Sequence, residues 1–155
     1  MNNELSFLEK VVLFNDIGGT KAEFDKRKAS LYVGLCIEEL GEMIESLNQT
    51  DEAWVSWVDG LDNLATLFKS GKFDYVMDNV NRIEFLDAAV DIAVVATGAG
   101  IAIGSDIIGA MGEVATNNLT KYNLVDGKYE VLLDENGKIR KPLNYLPVNL
   151  EQFLK

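Results

Sequence analysis

The fold of this chain is decided by residues 84–102, which read EFLDAAVDIAVVATGAGIA. After Asp91 the stretch is apolar nearly all round at helical spacing, and a helix of that kind belongs at the centre of a bundle. Small residues would let a neighbouring helix approach closely: Ala93, Ala96, Gly98, Ala99, Gly100 and Ala102. We therefore expect an all-α protein, a four- to five-helix bundle with this stretch inside it.

Capping signals and apolar stripes place the other helices. Ser6-x-x-Glu9 and Thr20-x-x-Glu23 each fit the capping box, in which two side chains satisfy the free amides of a helix start. Such signals and the helical spacing of apolar residues predict helices at about 6–16, 21–47, 61–70, 73–103 and 105–118.

The pattern changes after Tyr122. Two turn signals, Asp126-Gly127 and residues 135–137, flank the alternating segment 128–133, and this predicts a short β-hairpin or an extended arm. We expect a single domain, with residues 1–121 as a helical catalytic bundle and residues 122–155 as its C-terminal arm.

Composition excludes several classes of protein. The 155 residues carry 14 basic and 25 acidic side chains, a net charge of −11, which disfavours nucleic acids and anionic membranes as partners. The single cysteine, Cys36, fits a reducing compartment. The N-terminus lacks the pattern of a signal peptide, and the longest apolar stretch, residues 92–104, is too short to span a bilayer. These features predict a soluble, cytoplasmic protein.

Two carboxylate clusters stand out within apolar helical patterns. They are Glu38-Glu39-x-x-Glu42 and Glu84-x-x-Asp87-x-x-x-Asp91. At 100° per residue, each cluster presents two or three carboxylates within about 60° on one helix face. One interpretation is ordinary surface acids. The other is a cation bound between two helices. Because the chain has no histidine and only one cysteine, such a site would have oxygen ligands alone, which suit Mg²⁺ or Mn²⁺.

The same clusters carry a resemblance to a known superfamily. EELGE at 38–42, followed by EFLDAAVDI at 84–92, resembles the ExxE…ExxD arrangement of the all-α nucleoside triphosphate pyrophosphohydrolases. That superfamily includes MazG-like enzymes, dimeric dUTPases and phosphoribosyl-ATP pyrophosphohydrolases. The tail is similar to that of phosphoribosyl-ATP pyrophosphohydrolase-like members, many of them phage-encoded, through VATNNLTK (114–121), DGK (126–128), DENGK (134–138) and KPLNYLP (141–147).

The resemblance implies a set of metal ligands. Glu39 and Glu42 match the ExxE ligands, and Glu38 is the adjacent acid. Asp91 matches the aspartate of ExxD, but Ala88 then stands where the glutamate belongs. Asp87 can substitute for it, or Glu84-x-x-Asp87 is itself the motif, so the second ligand set is open between Glu84, Asp87 and Asp91.

The resemblance also implies an activity. An NTP or dNTP is hydrolysed between its α and β phosphates to a nucleoside monophosphate and pyrophosphate, in control of the nucleotide pool. Glu38 or Glu39 is the candidate base that accepts the proton of the attacking water. The implied assembly is a homodimer or tetramer in the cytoplasm, which is the host cytoplasm if the chain is phage-encoded. The alternative is a non-catalytic nucleotide-sensing or helical interaction module of the same fold.

The tail supplies the candidate substrate-binding residues. Asn118 and Lys121 match the family's Asn and Lys after the bundle and would bind phosphate or sugar, although such residues also stabilise helix C-termini. Lys138, Lys141 and Tyr145 would close over the substrate, although solvated loop lysines are the more common case. Outside the tail, Trp54 and Trp57 would either stack on a base or serve helix packing or a subunit interface. No residue specifies a particular base.

Overall fold

The computed structural model describes residues 5–154, which are predominantly helical. The α-helices are α1 (Phe7–Ile17), α2 (Lys26–Glu45), α3 (Glu52–Lys69), α4 (Arg82–Ala102) and α5 (Ile107–Leu119). Two short 3-10 helices span Asp74–Asn79 and Glu151–Phe153. Strands β1 (Asn123–Val125) and β2 (Lys128–Glu130) form the predicted hairpin, with Leu124 opposite Tyr129.

These elements fall into two compact units. The first, called here the α2–α3 unit, comprises residues 22–80 and the loop 134–138. The second, the α1–α4–α5 unit, comprises the described parts of residues 1–21, 81–133 and 139–155.

The α2–α3 unit is an antiparallel helix pair that packs closely at Gly34. A Cβ atom built on Gly34 would lie 2.8 Å from the Ala65 carbonyl oxygen, so only glycine fits without a shift. Ser30 is fully buried beside this contact, and its hydroxyl donates to the Phe68 carbonyl at 3.3 Å. The Arg27 guanidinium also donates to Phe68 O and to Lys69 O, which satisfies carbonyls that the end of α3 leaves without helical partners.

The boundary between α1 and α2 differs from the sequence prediction. Thr20 does not cap α2; its amide donates to Asn15 O at 2.9 Å in the turn that closes α1, where Gly19 has a φ of +82°. The true N-cap is Asp25, whose carboxylate accepts from the Lys28 amide at 2.9 Å. Helix α2 therefore starts later than expected, because the turn that ends α1 occupies the first candidate cap. The Ser6–Glu9 capping box of α1 is confirmed.

Helices α3 and α4 also have different bounds from those predicted. Asp51 caps α3 by accepting from the Trp54 amide at 2.9 Å, so the helix includes residues 52–60. Residues 74–79 form 3-10 turns rather than α-helix, since Met77 is buried and Phe73 packs edge-on against Phe68 at 5.3 Å between ring centroids. Helix α4 begins only after its N-cap, Asn81.

The α1–α4–α5 unit is centred on Tyr122. This side chain is only 5% exposed; its ring packs on Phe14 at 5.2 Å between centroids, and its hydroxyl donates to Phe14 O at 2.6 Å. Helices α4 and α5 meet where Gly100 faces Ile107, with no room for a side chain on Gly100. The Phe153 carbonyl accepts from the Asp106 amide at 2.7 Å and fixes the C-terminal segment against the start of α5.

Helix α4 has no buried residue, although it was expected at the centre of a bundle. Its length and composition would allow it to cross a membrane, and it is the one such helix among the described residues.

We predict that Gly34→Ala lowers the free energy of unfolding by about 1–3 kcal/mol, because the new methyl group must displace backbone of α3. Gly60→Ala is the matched control. It lies inside α3 with open space around its Cβ position, and it should raise stability by about 0.5–1 kcal/mol. Urea unfolding followed by circular dichroism measures both, and a Gly34→Ala variant as stable as Gly60→Ala would contradict the close helix contact.

Candidate acidic cleft and lysine clamp

An open cleft of about 320 Å³ lies between α2 and α3. Five carboxylates line it, and we call it the acidic cleft. The lining side chains are Glu38, Glu42 and Glu45 from α2 and Asp59 and Asp62 from α3, with Ile37, Val58 and Gly41 between them. The cleft places carboxylate oxygens from two helices around one space.

The cleft contains only part of the acidic set expected on α2. Glu38 and Glu42 line it, whereas Glu39 is exposed and is not among its lining residues. Asp59 and Asp62, three residues apart on α3, were missed. Their spacing is the signal that could have identified them, but the sequence prediction began that helix at residue 61, and Asp59 then fell outside it.

The carboxylates are more exposed than their apolar setting predicted. Glu39 and Glu42 are exposed, and so are Glu84, Asp87 and Asp91 on α4. Only Glu38 is substantially covered, with 21% of its side chain exposed. The physical reason is that α2 buries a narrow side around Gly34 while α4 is uncovered, so most of these acids remain solvated.

The second acidic set belongs to the other unit. Glu84, Asp87 and Asp91 follow one another along the first half of α4, and Glu84 lies in its first turn. Between residues 5 and 154, no three side chains of histidine, cysteine, aspartate or glutamate form a group that could hold a metal ion. The chemistry of the available donors, carboxylate oxygen alone, suits Mg²⁺ or Mn²⁺.

Two lysines hold Glu38 at the edge of the cleft, and we call them the lysine clamp. Lys69 Nζ, at the end of α3, lies 2.8 Å from Glu38 Oε1. Lys138 Nζ lies 2.8 Å from Glu38 Oε2 and 3.1 Å from Oε1. Two ammonium groups thus converge on one carboxylate in a chain whose net charge is −11.

The clamp changes the acidity of Glu38. Burial raises the pKa of this carboxyl, but hydrogen bonds from Lys138 and Lys69, together with their positive charges, outweigh burial and lower the pKa below its usual value. A carboxylate held in this way is a weak proton acceptor. The contacts therefore disfavour Glu38 as a base while both lysines bind it.

Lys138 reaches Glu38 because the loop 134–138 is folded tightly on itself. The Asp134 carboxylate accepts from the amides of Asn136 and Lys138, each at 2.9 Å, and Gly137 supplies a φ of +83°. Arg27 donates to Asn136 O at 2.7 Å and holds the loop on the α2–α3 unit. The loop is thus attached at both Arg27 and Glu38.

Other predicted binding residues gather around Tyr145 in the α1–α4–α5 unit. The ammonium groups of Lys121 and Lys141 lie 5.8 Å and 5.4 Å from the centre of the Tyr145 ring. The Tyr145 hydroxyl donates to Asn117 Oδ1, so Asn117 rather than the expected Asn118 contacts this cluster. Asn117 Nδ2 in turn donates to Leu146 O at 2.9 Å, which holds the tail.

The two tryptophans differ in exposure. Trp57 is 76% exposed on α3, next in sequence to Val58 of the cleft, whereas Trp54 is half-buried. Cys36, one turn before Glu39 on α2, is not activated. Partial burial raises the pKa of its thiol, and the Glu39 carboxylate raises it further. The thiol is therefore protonated at neutral pH and is a poor nucleophile.

The lysine clamp predicts a pH-dependent contribution to stability. Because the pKa of Glu38 is lowered in the folded chain, the contribution is complete above the unfolded value of about 4.3 and is lost as pH falls through the lower folded pKa. Solvent screens the ion pairs, since Lys138 is 43% exposed, so we expect about 1 kcal/mol. In chemical unfolding at pH 7, Glu38→Gln should have a free energy of unfolding lower by this amount. Below pH 4, its free energy of unfolding should fall less steeply with pH than that of the native protein.

Lysine variants provide the matched control for this prediction. Lys69→Met should lower the free energy of unfolding at pH 7, whereas Lys72→Met, at an exposed position outside the clamp, should change it by less than about 0.5 kcal/mol. Equal effects of the two variants would contradict a specific clamp.

No protein-family model matches the chain, and no curated protein or solved structure is significantly similar to it. The function is therefore inferred from the motifs, the acidic cleft and the lysine clamp.

Proposed function

We propose that the chain is a Mg²⁺- or Mn²⁺-dependent (deoxy)nucleoside triphosphate pyrophosphohydrolase of the all-α, MazG-like type. It converts an NTP or dNTP and water into a nucleoside monophosphate and pyrophosphate, and so acts on the nucleotide pool. We place it in the cytoplasm as a homo-oligomer. The observation that supports this most strongly is the acidic cleft with two lysines at its edge, since this combination suits a divalent cation and a polyphosphate together.

The size of the cleft favours the phosphate chain as its occupant. Ligand pockets usually enclose about 300–1,000 Å³, and the acidic cleft, at about 320 Å³, is at the lower end. That space suits phosphates and a cation better than a whole nucleotide. In this proposal the base and sugar lie outside the cleft, where the exposed Trp57 offers a stacking surface.

One or two carboxylates, together with the substrate phosphates, would hold the metal, since no three carboxylates of the described residues form a group that could hold it alone. Glu42 is the expected ligand that lines the cleft, and Asp59 and Asp62 are additional donors that the sequence motif did not include. The second expected set, Asp91 with Asp87 or Glu84, lies on α4 in the other unit. When bound, Mg²⁺ or Mn²⁺ would neutralise phosphate charge and acidify the attacking water.

Glu39 is the better candidate base of the two acids considered. Glu38 is held by Lys69 and Lys138, and its lowered pKa disfavours proton acceptance. Glu38 instead positions the two lysines. When a substrate enters, their ammonium groups can exchange their hydrogen bonds to Glu38 for hydrogen bonds to phosphate oxygens. Because Glu39 is exposed and does not line the cleft, it would accept the proton of a water bound at the outer edge of α2.

The lysine clamp also gives a reason to keep a second candidate function, a non-catalytic nucleotide-sensing or helical interaction module. A clamp that exchanges Glu38 for phosphate would bind a nucleotide without any chemical step. The Ala88 departure from the ExxD pattern favours this alternative as well. Calorimetry with an NTP distinguishes the two, because a sensor binds the nucleotide tightly and releases no pyrophosphate.

Substitutions of single carboxylates test the proposal through turnover. Glu42→Gln and Asp91→Asn should each lower kcat/KM for pyrophosphate release by at least about 100-fold, because each removes a proposed metal ligand. Glu113→Gln, an exposed acid on α5 outside the site, is the control and should keep full activity. If Asp91→Asn keeps its activity, the α4 ligands are assigned to Glu84 and Asp87 instead. If both variants keep their activity, the proposed site is contradicted.

Metal binding can be measured without turnover. If the acidic cleft binds the cation, Mn²⁺ should raise the melting temperature of the native protein, because a ligand at 100 times its Kd stabilises the folded state by about 2.7 kcal/mol. Asp59→Asn combined with Asp62→Asn should reduce this shift, whereas Glu113→Gln should not. A double variant with the full shift would place the ion elsewhere.

A further inference from the structure

We infer that Arg27 is a positioning residue for the lysine clamp. Its guanidinium joins the two segments that carry Lys69 and Lys138, and so holds both ammonium groups at the edge of the acidic cleft. The use of these ammonium groups to hold a phosphate chain rests on the proposed function. Their placement by Arg27 does not, and it can be measured separately.

Arg27 bonds both segments of the clamp at once. Its Nη2 atom donates to Lys69 O and to Asn136 O, the latter at 2.7 Å, and its Nη1 atom donates to Phe68 O at 3.3 Å. The Lys69 carbonyl belongs to one clamp lysine itself, and Asn136 precedes the other, Lys138, by two residues. One guanidinium thus ties the end of α3, which carries the first lysine, to the loop that carries the second.

Arg27 affects Glu38 only through these lysines. The two residues are 11 positions apart on α2, which is about 20° around the helix and about 16 Å along it. They therefore share one side of α2 at a separation too large for a direct hydrogen bond. Each clamp lysine spans this separation, since its backbone segment is bonded by Arg27 and its ammonium group by Glu38.

Gly34 leaves the path of the Lys69 side chain open. It lies between Arg27 and Glu38 on the same side of α2, and a Cβ atom built on it would be 2.8 Å from Lys69 Cγ. The Lys69 stem therefore passes over Gly34 before its ammonium group reaches Glu38 Oε1 at 2.8 Å. Because this passage is narrow, the position of the Lys69 backbone decides where the ammonium group lies.

The Arg27 guanidinium is itself held from its other side. Asp74 Oδ1 lies 3.7 Å from Arg27 Nη1, and in the described part of the chain this buried oxygen has no hydrogen-bond partner. A Cβ atom built on Gly71, where φ is +82°, would be 3.5 Å from Arg27 Nε, so the turn after α3 passes close by. A guanidinium presents five N–H donors in a fixed fork, whereas an ammonium is a compact point charge. Arginine can therefore bond several carbonyls while it stays beside Asp74, and lysine cannot.

Capping of α3 is the simpler role for Arg27, because Phe68 O and Lys69 O have no partners within the helix. Capping alone predicts that an Arg27 variant loses stability and that nothing changes at Glu38. Positioning predicts a change at Glu38 as well, since the bond to Asn136 O holds a segment outside α3.

An NMR titration of the Glu38 carboxyl group distinguishes the two roles and needs no turnover. Arg27→Gln should raise the pKa of Glu38 toward its ordinary value, because the clamp lysines are no longer held beside it. Lys26→Gln is the matched control. It removes the same charge from the adjacent residue, an exposed lysine paired with Asp78, and should leave the pKa of Glu38 unchanged.

Arg27→Lys covers the case in which Arg27→Gln does not fold. It keeps the charge, but its ammonium group cannot reproduce the fork that bonds the end of α3 and the loop together, so the pKa of Glu38 should rise here too. If the folded Arg27 variants have the same Glu38 pKa as Lys26→Gln, Arg27 only caps α3 and its positioning role is overturned.

Steady-state kinetics of pyrophosphate release tests the same role on the substrate. Arg27→Gln should raise KM at least about 10-fold and change kcat by less than about threefold, because the lysines hold phosphate equally in the ground and transition states. Lys138→Met should raise KM by a similar factor, and the double variant should raise it no further than the larger single effect.

A KM in the double variant equal to the product of the two single factors would show that Arg27 acts independently of Lys138, against the positioning role. If no triphosphate is hydrolysed, the proposed function fails, and the Glu38 titration still decides the role of Arg27.

Discussion

An apolar helix in water must be covered by other apolar surface, and this requirement governs the surroundings of α4. Helix α4 carries the longest apolar run in the chain, yet none of its described residues is buried. The same helix carries Glu84, Asp87 and Asp91, the second acidic set. Whatever covers α4 therefore also sets the surroundings of these carboxylates, so the proposed metal chemistry depends on that covering.

In the α2–α3 unit, charged side chains lie around a cleft without being fully buried. Gly34 and Ala65 bring the two helices close, and the cleft opens further along the pair, between Glu42 and Asp59. Its carboxylates stay in contact with water, which limits the cost of their mutual repulsion. Glu38 is the exception, and two lysines offset its partial burial.

Local signals predicted much of this fold, and contacts between distant residues account for the rest. The capping box at Ser6, the hairpin turn at Asp126-Gly127 and the helix beginning at Asp106 all depend on neighbours in sequence, and all are present. The sequence places the N-cap of α2 at Thr20 rather than at Asp25, because both residues are good caps. Only the turn at the end of α1 decides between them. The lysine clamp joins positions 31 and 100 residues apart, so no local pattern could reveal it.

The proposed activity is cleavage of nucleoside triphosphates between the α and β phosphates. The most direct measurement is ³¹P nuclear magnetic resonance of the purified native protein with Mn²⁺ or Mg²⁺ and each common NTP and dNTP in turn. At least one substrate should yield pyrophosphate and the nucleoside monophosphate in equal amounts. Release of orthophosphate with a nucleoside diphosphate, or no change with any triphosphate, would contradict it.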